Sequence, residues 1–134
     1  MILVDTSVWI ELLRRSIRID GETLLEFVTC RPVLQEVLQG VVAEGAAEEQ
    51  LRAPFRDALA LPRLDDPLPI EAFVEAAEIC RMARRKGCTI RSGVDCLIAA
   101  IALRHDIPVW HRDRDFETIS RFTALRTRKT ARPH

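Results

Sequence analysis

Five carboxylates in this 134-residue chain stand where an acid calls for a reason: Asp5, Glu36, Asp95, Asp113 and Asp115. Asp5 ends an apolar run, Met1-Ile2-Leu3-Val4, and precedes Val8, Trp9, Ile10, Leu12 and Leu13 at mainly helical spacing, which reads as strand, turn, helix. In a parallel sheet, ligands and catalytic groups collect beyond the carboxyl ends of the strands, though a helix N-cap explains the same residue. Asp95 is the only charge between Val94 and Leu103, and a carboxylate in so apolar a helix needs a cap, a counter-charge or a metal. Ser92-Gly93-Val94-Asp95 also matches the capping-box pattern, which would give Asp95 a purely structural role. Glu36 points away from the stripe of Leu34, Val37, Leu38 and Val41, as a solvated glutamate does. Asp113 and Asp115 flank Arg114 ahead of Phe116, where a turn and a capped helix are the ordinary reading. No single acid decides between structure and chemistry.

Other reactive side chains form no pattern. Cys30, Cys80, Cys88 and Cys96 make neither a Cys-x-x-Cys pair nor a zinc spacing, and they read as small core residues. His105, His111 and His134 lack ligand spacing as well. Twenty basic residues balance twenty acidic ones, so net charge does not call for a polyanionic partner. Eighteen of the basic residues are Arg, whose planar fork suits phosphate, although coding bias gives the same count. From Arg121 onward the chain carries Arg121, Arg126, Arg128, Lys129 and Arg132 with no acid, either a surface for nucleic acid or an acidic partner, or a solvated terminus.

The elements that must position these groups follow from periodicity and breakers. A short helix over Glu22 to Glu26 leads into a strand at Phe27 to Thr29, and Pro32 opens a helix striped by Val33, Leu34, Val37, Leu38 and Val41. A helix is expected from Ala46 to Leu61, and Asp65, Asp66, Pro67 and Pro69 then break the chain. Ile70 to Lys86 reads as a helix stopped by Gly87, and Val94 to Leu103 as a buried one. A strand at Ile107 to Trp110, a turn and short helix at Asp113 to Arg121, and a final strand at Phe122 to Arg126 complete an α/β pattern with a mainly parallel sheet. The expectation is one domain over residues 1–126 and a basic tail over 127–134. No apolar run approaches the roughly 18 residues that span a bilayer. Asp5 interrupts the first one with no basic segment ahead of it, so the expected location is the cytoplasm.

The order of the acidic blocks carries more than any member. Ile2-Leu3-Val4-Asp5-Thr6-Ser7-Val8-Trp9-Ile10, Glu36-Val37-Leu38-Gln39-Gly40, Asp95-Cys96-Leu97-Ile98-Ala99-Ala100 and Asp113-Arg114-Asp115-Phe116 together resemble the PIN domain, and within it the VapC toxins of toxin-antitoxin pairs. The resemblance runs from Met1 to about Arg126 and implies a three-layer fold, a short, mainly parallel sheet flanked by helices. It implies that Asp5, Glu36, Asp95 and Asp113 form a catalytic acidic quartet, with Asp5, Asp95 and Asp113 holding Mg²⁺ or Mn²⁺. Thr6 or Ser7 would brace the first Asp, and Asp115 would support the site. His111 departs from the family, which often has Thr or Ser two positions before the acid matched by Asp113. The implied activity is endoribonuclease cleavage by a metal-activated water, with an RNA substrate, a small antitoxin partner, a homodimer and no membrane.

Three other readings compete. A PIN nuclease of RNA processing would lack the toxin role. A haloacid-dehalogenase-type phosphatase would want a second Asp where Ser7 stands. An inactive RNA-binding regulatory dimer would not need the acidic quartet.

Overall fold

The computed structural model describes residues 1–13, 19–43 and 60–129. Four short strands, β1 (Ile2–Val4), β2 (Phe27–Val28), β3 (Val109–His111) and β4 (Thr127–Lys129), form one sheet in the order β2-β1-β3-β4, and every pairing is parallel. Among the described residues six helices accompany it: α1 (Thr6–Leu13), α2 (Gly21–Leu24), α3 (Arg31–Ala43), α4 (Ile70–Arg85), α5 (Gly93–Arg104) and α6 (Arg114–Ser120). Successive strand residues point to opposite faces, and Ile2, Leu3 and Val4 are all buried, so protein covers both faces of β1.

The chain leaves β1 toward β2 on one side and reaches β3 on the other. This reversal opens a crevice beyond the carboxyl ends of β1 and β3, the usual ligand position in an open parallel sheet. Register fixes the two ends together: Val4 lies opposite Trp110, and the Asp5 N–H donates to the Trp110 carbonyl at 2.9 Å. Below this edge, Phe27 packs edge-on against Trp9 and Trp110, with ring centroids 5.8 and 5.7 Å apart.

Helix α5 is apolar nearly all round and is the most enclosed helix, with Cys96, Ile98, Ala99, Ala100, Ile101 and Ala102 buried. It packs along α4, which buries Ala72, Ala76, Ile79 and Ala83. Small side chains on both helices allow close approach. Helix α4 stops where expected, in a Schellman turn: Gly87 takes φ +70°, its N–H donates to the Arg84 carbonyl at 3.0 Å, and that of Cys88 to Ala83 at 2.8 Å.

Two strands differ from expectation. The third lies at Val109–His111 instead of Ile107 to Trp110, and the last at Thr127–Lys129 instead of Phe122 to Arg126. Phe122 and Leu125 have the apolar character of a strand, but they serve as a turn that packs onto the core after α6. The polar Thr127-Arg128-Lys129 takes the edge position, where exposed basic side chains are usual, and the Arg128 guanidinium lies 4.5 Å from the Trp110 ring centroid. Three residues expected in the basic tail are thus part of the sheet. The helix expected from Ala46 to Leu61 falls almost wholly outside the described residues. Among the described residues, no helix is long and apolar enough to cross a membrane.

If the α5 core holds the crevice walls together, truncating Ile98 leaves a cavity in a place that cannot collapse. Ile98→Ala should cost about 2–4 kcal/mol in urea melts, whereas Val74→Ala, on the 56% exposed position of α4, should stay within about 0.5 kcal/mol.

Candidate metal centre

Four elements deliver acids to the crevice. Asp5 follows β1, Asp113 follows β3, Glu36 projects from the second turn of α3, and Asp95 from the first turn of α5. Asp5, Glu36 and Asp95 each offer a carboxylate oxygen within 4.8 Å of the others, and Asp95, Asp113 and Asp115 form a second such group. Asp95 belongs to both. The local reading of Glu36 as a solvated residue does not hold: it is half-buried, and its Oε1 accepts from the Thr6 hydroxyl at 3.1 Å.

Each acid divides its two oxygens. Asp5 Oδ2 caps α1, accepting from the Ser7 N–H at 3.1 Å and the Ser7 hydroxyl at 2.6 Å, while the buried Oδ1 has no hydrogen-bond partner. The N-cap reading of Asp5 is therefore correct for one oxygen and leaves the other free for chemistry. Of the two hydroxyls expected near the first Asp, Ser7 holds Asp5 and Thr6 holds Glu36. Asp113 Oδ1 caps α6 through the Asp115 N–H at 2.9 Å.

The capping-box reading of Asp95 fails for a visible reason. The Ser92 side chain makes no cap hydrogen bond, and the Ser92 N–H, which a capping-box acid would take, donates to Asp115 Oδ2 at 3.1 Å. Asp115 also takes the Arg91 N–H. A carboxylate from α6 thus performs the capping of α5 and releases Asp95, whose Oδ2 is buried without a partner. Sequence inspection has no means of finding this exchange, because the capping acid lies 23 residues away.

Burial is the main electrostatic cost. Desolvation raises Asp5 and Glu36 above the ordinary carboxylate range, against the hydrogen bonds from Ser7 and Thr6. Asp95 is pushed up to about 10, chiefly by desolvation, then by its hydrogen bond with Asp115 and the charges of Asp5 and Asp113. Two buried, unpartnered carboxylate oxygens in one acidic crevice suit a hard divalent cation, which prefers oxygen ligands and would relieve both the desolvation and the repulsion.

A profile describing the PIN domain matches residues 2–121. The chain belongs to the PIN-domain family. It is 38% identical over 133 residues to the VapC ribonuclease Mb1587 of Mycobacterium bovis, covering 93% of this chain and 96% of that one, and it matches Ribonuclease VapC11 of Mycobacterium tuberculosis equally. The fold recurs in VapBC-5 of M. tuberculosis (TM-score 0.71, 24% identity, 96% of this chain and 97% of that one). It recurs also in DNA-bound VapBC of Salmonella typhimurium (TM-score 0.76, 19% identity, 96% of each).

His111, the departure from the PIN-family pattern, has a defined place here. It is fully buried beside Phe116, its Nδ1 accepts the Asp113 N–H at 3.1 Å, and its Nε2 faces Glu117 Oε1 at 2.9 Å. With Nδ1 an acceptor, the ring proton sits on Nε2 and donates to Glu117, which also accepts from the Thr127 hydroxyl at 2.8 Å. Sequence reading missed Glu117 and Thr127. The only signal was His111 itself, two positions before Asp113.

Because the folded-state pKa of Asp95 lies above its unfolded value of 3.8, the metal-free fold binds the extra proton, and this contribution is lost as pH rises from about 4 toward 10. Asp95→Asn should therefore match the wild type in metal-free Tm near pH 4 and exceed it increasingly at higher pH, while losing most of the Tm gain from Mn²⁺. A capping role alone would instead give a variant destabilised by about 1 kcal/mol with its Mn²⁺ response intact.

Proposed function

We propose that this PIN-domain chain is a metal-dependent endoribonuclease and the toxin of a VapBC-type pair. The observation that carries the reading is Asp95: a buried carboxylate, freed from capping, that belongs to two acidic triads and keeps one oxygen without a partner. The names of the curated relatives, ribonucleases matched over nearly their whole length, support the choice of RNA, which geometry alone does not select.

Asp5, Asp95 and Asp113 would hold Mg²⁺ or Mn²⁺, which when bound lowers the pKa of a water and offsets charge on a phosphodiester. Ser7 fixes the Asp5 carboxylate and is itself held, its hydroxyl accepting the Arg112 N–H at 3.0 Å. Thr6 orients Glu36 at the half-buried edge of the cluster, where this carboxylate takes the proton of the attacking water. Asp115 supports the site by capping α5. Two side chains beside the acids are poorly placed to act as nucleophiles: the Ser7 hydroxyl is engaged, and the buried Cys96 thiol beside Asp95 is raised well above the usual thiol range by burial.

The partners are part of the same proposal: a second copy of the chain and a small antitoxin. Ile70, Phe73 and Val74 of α4 are 72%, 49% and 56% exposed, an apolar face that neighbours would cover. The relatives of known structure named VapBC support the antitoxin.

Purified chain should cut single-stranded or looped RNA in Mn²⁺ or Mg²⁺ and stop on chelation, with Asp5→Asn or Asp113→Asn lowering the rate more than about 100-fold. Ser7→Ala, which loses only the brace, should lower it about 10–100-fold, with Ser7→Thr partly restoring it. Equal cleavage by Asp5→Asn and wild type in chelator would mean a contaminating nuclease and remove the proposal. Light scattering at micromolar concentration should give a dimer, and the product of an adjacent small open reading frame should co-purify.

A further inference from the structure

Helices α4 and α5 bring two thiols into contact outside the proposed ligand set. Cys80, half-buried on α4, and Cys96, buried on α5, have their Sγ atoms 2.8 Å apart, and both are free. The contact follows from the small-residue packing of the two helices. Cys80 lies one turn from Ala76 and Ala83, Cys96 one turn from Ala99 and Ala100, and these alanines are buried in the seam. The other two cysteines have no such arrangement: Cys30 is buried beyond β2, and Cys88 follows Gly87 with its Sγ 3.8 Å from the Lys86 carbonyl. A disulfide bond is about 2.05 Å long, so the two sulfurs need to approach by only roughly 0.8 Å to close it.

We propose that Cys80 and Cys96 are a dithiol pair that closes into an intramolecular disulfide under a peroxide oxidant, joining α4 to the first turn of α5 one residue from Asp95. Cys80, the less buried thiol, reacts first. Its sulfur attacks one peroxide oxygen, the O–O bond breaks, and Cys80 becomes a sulfenic acid as one water leaves. Cys96 sulfur then attacks the Cys80 sulfur, the S–S bond forms, the S–O bond breaks, and the hydroxyl leaves with the thiol proton as a second water. Two thiols lose two electrons and hydrogen peroxide is reduced to two waters. The sulfurs belong to residues 16 apart, so the closed bond removes chain entropy mainly from the unfolded state.

The full chain is treated with one equivalent of hydrogen peroxide, capped with iodoacetamide and digested with trypsin without reduction. Cleavage after Arg81 and Arg91 places Cys80, Cys88 and Cys96 on separate peptides, so each possible link has its own mass. The expected product is a Cys80–Cys96 link in most molecules, reversed by dithiothreitol, with Tm raised by about 5–10 °C before reduction. C80S should give neither the link nor the rise, and C96A repeats that control should C80S fold poorly. Alkylated Cys80 and Cys96 after peroxide, or cross-links through Cys88 between two copies with this pair untouched, overturn the proposal. A link that forms while Tm falls overturns its central geometric claim, closure without distortion.

Discussion

Carboxylates within 4.8 Å of one another repel, and at about 4 Å the cost is roughly 4 kcal/mol per pair at an effective dielectric of 20. Assembling Asp5, Glu36, Asp95, Asp113 and Asp115 at one sheet edge therefore adds repulsion to the larger cost of burying them. The rest of the fold is arranged so that they stay there. The parallel register of β1 against β3 brings Asp5 and Asp113 to the same edge, and the enclosed helix α5 anchors Asp95 with buried Ile98 and Ile101. Each of the five acids lies within a helix or at the residue that caps one.

The repulsion is managed by giving the acids structural work with part of each carboxylate. Asp5 caps α1, Asp113 caps α6, Asp115 caps α5 and Glu36 receives the Thr6 hydroxyl. What remains is a pair of buried oxygens without partners, Asp5 Oδ1 and Asp95 Oδ2, on two acids of the same cluster. Behind them His111 joins Asp113 to Glu117 and Thr127, so the edge strand β4 is coupled to the position of a site acid through three hydrogen bonds. Such outer partners are what hold a ligand set in place before a metal arrives.

Much of this was legible in the sequence, for identifiable reasons. The strand-turn-helix at Asp5, the Gly87 stop and the apolar α5 rest on local periodicity and backbone chemistry, and they stand as read. The positions of β4 and of Glu36 rest on long-range packing. Phe122 and Leu125 look like strand residues until the core they cover is known, and Glu36 looks solvated until α1 is set beside α3. Local rules also gave Asp5 and Asp95 two roles each. For Asp5 the cap takes one oxygen and leaves the other without a partner; for Asp95 the cap is lost to Asp115, a residue no local pattern connects to it. The His111 departure was visible, but its consequence depended on Glu117 and Thr127 arriving from two other elements.

The central claim is that the unpartnered oxygens of Asp5 and Asp95 are metal ligands. Crystals of the chain soaked in Mn²⁺ and measured at the manganese absorption edge test it most directly. An anomalous peak is expected within coordination distance of Asp5 Oδ1 and Asp95 Oδ2, and it should be lost in crystals of Asp95→Asn. An empty crevice with manganese bound only at surface carboxylates such as Asp106 would contradict the claim.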